Sequence, residues 1–179
     1  MLNNQTLINQ IERFIKKSTD YESLHLISYF FIDIPKLSIT NNFIIHIINL
    51  SKNDTQFIDI LHEFSLILSS FESDPSFNFL FDTIFENYKC NNECISQLND
   101  VLLEWIEYKA KLPFDYLFKK LMSFDFINCN TTISILIKKL LKRITYSENF
   151  QLINDFLMKI LEDTVPATFS SWFIEILFY

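Results

Sequence analysis

The chain has 179 residues, of which 49% are hydrophobic and 16% aromatic, so it can build a sizeable core and is not a disordered segment. It contains no glycine, which excludes the standard P-loop, the dinucleotide fingerprint and the nucleophile elbow, since each needs glycine for a tight turn or a close backbone approach. A net charge of −7 argues against a general nucleic-acid binder.

Apolar spacing predicts helices throughout. A first helix runs from about Asn4 to Lys17 with Leu7, Ile8, Ile11, Phe14 and Ile15 inward. Thr19-Asp20-Tyr21-Glu22 has the capping-box pattern and opens a second helix over Leu24, Ile27, Phe30 and Phe31, which Pro35 ends. Thr40 or Asn41 caps a third over Phe43, Ile44, Ile47 and Ile48. Asn53 or Asp54 starts a fourth over Phe57, Ile58, Leu61, Phe64, Leu68 and Phe71. Asp74-Pro75, an N-cap acid followed by proline at the first helical position, starts a fifth over Phe77, Leu80, Phe81, Ile84, Phe85 and Tyr88.

The sixth helix, Asn92 to Lys109, is the most regular. Cys94, Ile95, Leu98, Val101, Leu102 and Trp105 share one stripe, with Glu93, Gln97, Asp100, Glu104 and Glu107 opposite. Leu112-Pro113 separates it from a seventh helix over Phe114, Leu117, Phe118, Leu121 and Met122. Asn130-Thr131 caps an eighth over Ile133, Leu136, Ile137, Leu140, Leu141 and Ile144. A ninth spans Glu148 to Glu162, and Thr164-Val165-Pro166 opens a tenth that reaches Tyr179. No segment reads as a strand, and no Pro-, Gly- or Ser-rich linker divides residues 1–179, so one all-α domain is expected.

The predicted starts lie near residues 4, 20, 40, 54, 74, 92, 113, 131, 148 and 165, so every second start is separated by 34 to 39 residues. A two-helix unit of that length, repeated about five times, resembles the armadillo and HEAT superfamily in period, although no repeat consensus is visible. The resemblance implies antiparallel helix pairs stacked as a right-handed α-solenoid; a compact helical bundle is the alternative. A tetratricopeptide array is disfavoured, because its packing needs Gly and Ala at set positions and only Ala110 and Ala167 are present.

Charge is unevenly distributed. Residues 20–107 hold 14 acids and 3 bases, whereas residues 108–143 hold 2 acids and 8 bases. Lys119 and Lys120 on the seventh helix and Lys138, Lys139, Lys142 and Arg143 on the eighth form a basic patch. Two of its pairs, Lys138/Lys142 and Lys139/Arg143, set like charges one turn apart, at a cost of a few tenths of a kcal/mol each. Such a patch suits an acidic protein segment or a nucleic-acid backbone. A second candidate surface is the last predicted helix, where Trp172, Phe173, Ile174, Ile176, Leu177, Phe178 and Tyr179 surround nearly the whole circumference, so that Trp172, Phe173, Phe178 and Tyr179 suit an apolar interface with a partner or a second copy; burial within a closed bundle is the alternative.

Catalytic and metal signatures are weak. His25, His46 and His62 have no second histidine one turn away, and His62-Glu63 is followed by Leu66 where a zinc-protease motif needs histidine. Cys90 and Cys94 form a C-x3-C pair without a second pair, and Cys129 leaves an odd count that does not fit a disulfide framework. Glu104 and Glu107 lie on the polar face of the sixth helix and read as solvated. No signal peptide or membrane span is apparent. The expectation is a non-catalytic interaction module, a small adaptor or complex subunit in the cytoplasm or nucleus, with no cofactor. Its basic patch binds an acidic partner or, alternatively, RNA.

Overall fold

The computed structural model of the chain describes residues 4–33, 39–65, 75–87, 93–109, 111–123, 131–144 and 150–163. The fold is all-α. Among the described residues there are nine α-helices and no strand: α1 (Asn4–Lys17), α2 (Tyr21–Asp33), α3 (Thr40–Ser51), α4 (Ile58–Phe64), α5 (Pro75–Asn87), α6 (Glu93–Tyr108), α7 (Phe114–Met122), α8 (Thr131–Ile144) and α9 (Phe150–Asp163). A 3-10 turn, Thr55–Phe57, leads into α4. The predicted tenth helix lies outside the described residues.

Helices two apart in sequence are the main neighbours. α2, α4, α6 and α8 form one row in which each packs on the next. In the other row α1 packs on α3, α3 on α5 and α7 on α9, while α5 and α7 meet through Asp82, which accepts from the Tyr116 hydroxyl and pairs with Lys120 Nζ at 2.8 Å. The rows meet where α3 packs on α4, α5 on α6 and α8 on α9. α6 touches α4, α5 and α8, which is why its stripe is covered from Cys94 to Trp105 and Ile106.

The core runs from Ile15 to Phe156. Phe31, Phe43 and Phe64 form an aromatic line through its first half, with successive ring centroids 4.8 and 5.9 Å apart. Trp105 is fully buried, and its indole N–H donates to the Leu61 carbonyl at 3.2 Å, so the one polar atom of its ring is satisfied inside the core.

Several local expectations need correction. At α2 the cap is Asp20, whose carboxylate accepts from the Ser23 N–H at 2.9 Å, rather than Thr19; hydrogen bonding from the Ser23 hydroxyl, then from its N–H, holds the Asp20 carboxyl below its ordinary value. α3 starts from Ile39 with no side-chain cap. Asn41 instead turns to α5, where its Oδ1 accepts from the Ser76 hydroxyl at 2.7 Å and from the Ser76 N–H at 3.3 Å. Asp54 caps as expected, accepting from the Gln56 N–H at 3.2 Å.

Leu7, Phe14, Phe30 and Met122, all expected inward, are exposed. On α1 the neighbour α3 covers the line of Ile8, Ile11 and Ile15, and Leu7 and Phe14 lie on its flank. Phe30 lies around α2 from the buried pair Leu24 and Phe31. A stripe wider than the neighbour that covers it leaves its edge in water.

The even-numbered row carries a recurring polar contact. His25 Nε2 donates to Glu63 Oε1 at 2.8 Å, and the Ser28 hydroxyl stands 3.2 Å from Glu63 Oε2, tying α2 to α4. One step along, His62 Nδ1 donates to Glu104 Oε2 at 2.9 Å and the Ser65 hydroxyl donates to the same oxygen at 2.9 Å, tying α4 to α6. Each contact uses a His and a Ser three residues apart on one helix and a Glu on the helix two further along. Glu104 is therefore an inter-helix acceptor rather than the simple solvated acid expected of the polar face.

Candidate functional site: a basic concavity between α6 and α8

The ladder of contacts changes polarity at α6. The residues corresponding to the His-x-x-Ser donors, one before and two after Glu104, are Leu103 and Ile106, so α6 offers no such donors to the next helix. It offers an acid instead. Glu107, one turn beyond Glu104, accepts from Lys139 Nζ of α8 at 2.7 Å. Two residues further on, the Lys109 carbonyl accepts from Arg143 Nη2 at 2.6 Å. The bases of α8 are thus, in part, the means by which α8 is attached to α6.

Beside this attachment lies a half-open concavity of about 480 Å³, lined by Glu107, Ile135, Lys138, Lys139, Lys142 and Arg143. α8 places these residues by its period: Leu136, Ile137, Leu140 and Leu141 go into the core, which leaves 135, 138, 139, 142 and 143 for the outer faces. Ile135 is 49% exposed, an apolar wall among cations. Glu107 stands out towards solvent, with its side chain 62% exposed against 32% for Lys139. The hydrogen bond from Lys139, then its charge and those of Lys142 and Arg143, hold the Glu107 carboxyl below its ordinary value, so it stays ionised at neutral pH.

Four of the six expected basic residues therefore come together in one lining. Lys119 is exposed on α7; Lys120 pairs with Asp82 and lies 5.6 Å from the centre of the Tyr116 ring. Neither lines the concavity. Trp172, Phe173, Phe178 and Tyr179 lie outside the described residues. Glu107 and Ile135 were not singled out as site residues from the sequence. Glu107 is 32 residues from Lys139, and nothing local joins them; Ile135 reads as one more apolar residue of an apolar helix.

The other polar clusters are linkages between helices. His46 Nε2 donates to the Ser18 carbonyl at 2.9 Å. Cys94 is buried, its thiol donates to the Ser51 carbonyl at 3.0 Å, and burial pushes the thiol above its ordinary value despite the opposing charge of Lys52. Among the described residues no three His, Cys, Asp or Glu side chains gather as a metal-binding group, and no helix is long and apolar enough to cross a membrane.

Chemically, the concavity offers ammonium and guanidinium donors around a small apolar wall, an arrangement that binds carboxylates or phosphates by charge-assisted hydrogen bonds. Comparison with protein-family models, with curated proteins and with solved structures finds no significant match for this chain.

Proposed function

We propose that the chain is a non-catalytic interaction module, an intracellular adaptor or a subunit of a larger complex, and that the α6–α8 concavity holds an acidic segment of a protein partner. The observation that carries this reading is the lining itself: four cations from two turns of one helix, around a half-open space with an exposed isoleucine at its wall. A chain of net charge −7 that concentrates its bases there presents a local positive field against an acidic remainder, which steers and orients an acidic ligand. Ile135 favours a peptide over a bare polyanion, because a peptide can bring an apolar side chain to meet it. Glu107 favours the same choice, since a uniformly charged phosphate backbone gains nothing from a carboxylate in its path.

The repeated His-x-x-Ser to Glu contact supports a repeat architecture of the armadillo or HEAT type. Its two occurrences are offset by 37 residues at the His and Ser positions and by 41 at the Glu, close to the 34 to 39 residue period of the helix starts. In such stacks binding surfaces lie along the exposed faces of successive helices.

The test is to pan a random peptide library on the wild-type chain and on the Lys138→Glu/Lys142→Glu variant, with a single-stranded RNA of similar length measured in parallel. The wild type should enrich sequences with several Asp or Glu around an apolar residue, and the variant should lose that enrichment. Preferential RNA binding that weakens steeply with salt would replace the proposal with a nucleic-acid function. Enrichment indifferent to the charge reversal would remove the concavity from it.

A further inference from the structure

We infer that the first two helices are a docking face for a second copy of the chain, with α1 of each copy lying on α2 of the other about a two-fold axis. α2 shows water an apolar centre between two acids: Leu26, 73% exposed, with Tyr29 and Phe30, flanked by the exposed Glu22 and Asp33. At 3.6 residues per turn these five fall in one sector, opposite the buried Leu24 and Phe31. α1 carries the complementary set. Leu7 and Phe14 are exposed two turns apart, and the exposed bases Arg13, Lys16 and Lys17 crowd its second half against one half-buried acid, Glu12. Among the described residues no ion pair holds Arg13, Lys16, Lys17, Glu22 or Asp33, since the pairs that form tie α2 to α4, α4 to α6, α5 to α7 and α6 to α8 through other side chains.

Position in the fold leaves both surfaces open. α1 and α2 begin their rows, so each has one row neighbour, whereas α3, α4 and α6 have one on either side. The end of a helical stack ordinarily shows water a polar face, and an apolar one there is a surface for further helices. The sign of the charges selects the occupant. α2 on α2 would set acid against acid, Glu22 facing Asp33 when antiparallel and each facing its like when parallel. Residues 164–179 hold one acid and no base, so they would leave both acids of α2 unanswered. α1 laid antiparallel on α2 brings Lys17 to Glu22 and Phe14 to Leu26. A two-fold axis makes this contact twice, and the matched charges offset locally the repulsion between two chains of net charge −7.

Sedimentation equilibrium of the full chain should show a monomer–dimer equilibrium in the micromolar range. Leu26→Ser/Phe30→Ser should weaken it at least about tenfold, because apolar burial is lost from both copies. Arg13→Glu/Lys17→Glu and Glu22→Lys/Asp33→Lys should each be monomeric alone, whereas their equimolar mixture should form a heterodimer, since every contact then joins opposite charges. The circular-dichroism melt of each variant checks folding. A wild type that stays monomeric at high micromolar concentration overturns the inference, as do assemblies larger than a dimer. A dimer indifferent to the Leu26 and Phe30 substitutions uses another surface and overturns it as well. A dimer that those substitutions abolish, with a charge-reversed mixture that stays monomeric, removes α1 as the occupant and refutes the pairing.

Discussion

Glu104 receives the His62 ring N–H and the Ser65 hydroxyl on one oxygen, each at 2.9 Å, whereas Glu63 receives the His25 ring N–H on Oε1 at 2.8 Å and has the Ser28 hydroxyl, which donates to the His25 carbonyl at 2.6 Å, standing 3.2 Å from Oε2. α4 is thus both donor and acceptor: Glu63 takes from α2, and its neighbour His62 gives to α6. The two adjacent residues point the ladder in opposite directions along the row. These contacts add a directional polar link to the apolar packing that joins the three helices.

Breaking the second rung should therefore loosen α4 from α6 by a modest amount. His62 and Glu104 are 37% and 43% exposed at their side chains, so solvent screens the pair. A double-mutant cycle on Ser65→Ala and Glu104→Gln, read by urea unfolding, should give a coupling of about 0.5–1 kcal/mol. The corresponding cycle on Ser28→Ala and Glu63→Gln should agree in sign and be smaller, because the Ser28 hydroxyl donates to the His25 carbonyl at 2.6 Å and stands 3.2 Å from Glu63 Oε2. A coupling near zero in both would show that the rungs do not hold the helices.

Trp105 tests the centre of the core. Trp105→Phe keeps most of the ring but loses the N–H donated to Leu61, leaving that carbonyl short of a partner and a small cavity beside it. The expected loss is about 1–3 kcal/mol in urea unfolding. With Trp172 replaced by Phe, the remaining emission should be that of a buried indole and should shift to longer wavelength only in the main unfolding transition.

Tyr116 sets a pH dependence. Burial, then the hydrogen bond to Asp82 and the charges of Asp82 and Glu86, push its phenol above the ordinary value of about 10. As pH rises above about 10, the unfolded chain releases this proton while the native chain keeps it. The contribution is therefore complete below that pH and is lost progressively above it. Tyr21, raised by burial and by Asp59 and Glu63, acts with the same sign. Tyr116→Phe should lower stability at neutral pH by about 1 kcal/mol and make the alkaline decline shallower. An unchanged alkaline slope would contradict the assignment.

Cys94 should be inert in the native state. In a Cys90→Ser/Cys129→Ser chain the single remaining thiol is buried, bonded to the Ser51 carbonyl and pushed up by burial. Its reaction with Ellman's reagent at neutral pH should be at least about a hundredfold slower than in urea, limited by opening of the helices around it. Rapid native labelling would place the thiol at the surface.

Much of the fold was legible because each helix carries its own turn-spaced stripe and its own start. Pro75 stands at the first residue of α5, Phe114 follows the Leu112-Pro113 break, and Thr131 opens α8, all where expected. Caps were less legible: Thr19 and Asp20 both fit a start, and only the backbone decides that Asp20 reaches Ser23. Asn41 shows the same limit, since a residue that looks like a local cap serves a contact 35 residues away. The bases of α8 were readable as a charge run. Their environment was not, because Glu107 and the Lys109 carbonyl enter the site only through the packing of α6 on α8, and no spacing within either helix encodes which helices become neighbours.

The most direct test of the α6–α8 concavity as an acidic-segment site is to titrate the isotope-labelled chain with the Asp- and Glu-rich peptide and follow backbone amide shifts by NMR. Saturable changes centred on Ile135 to Arg143 and on Glu107, absent in the Lys138→Glu/Lys142→Glu variant, are the expected result. Changes centred instead on the exposed apolar residues Leu26 and Phe30 of α2, or changes that persist in the variant, would contradict it.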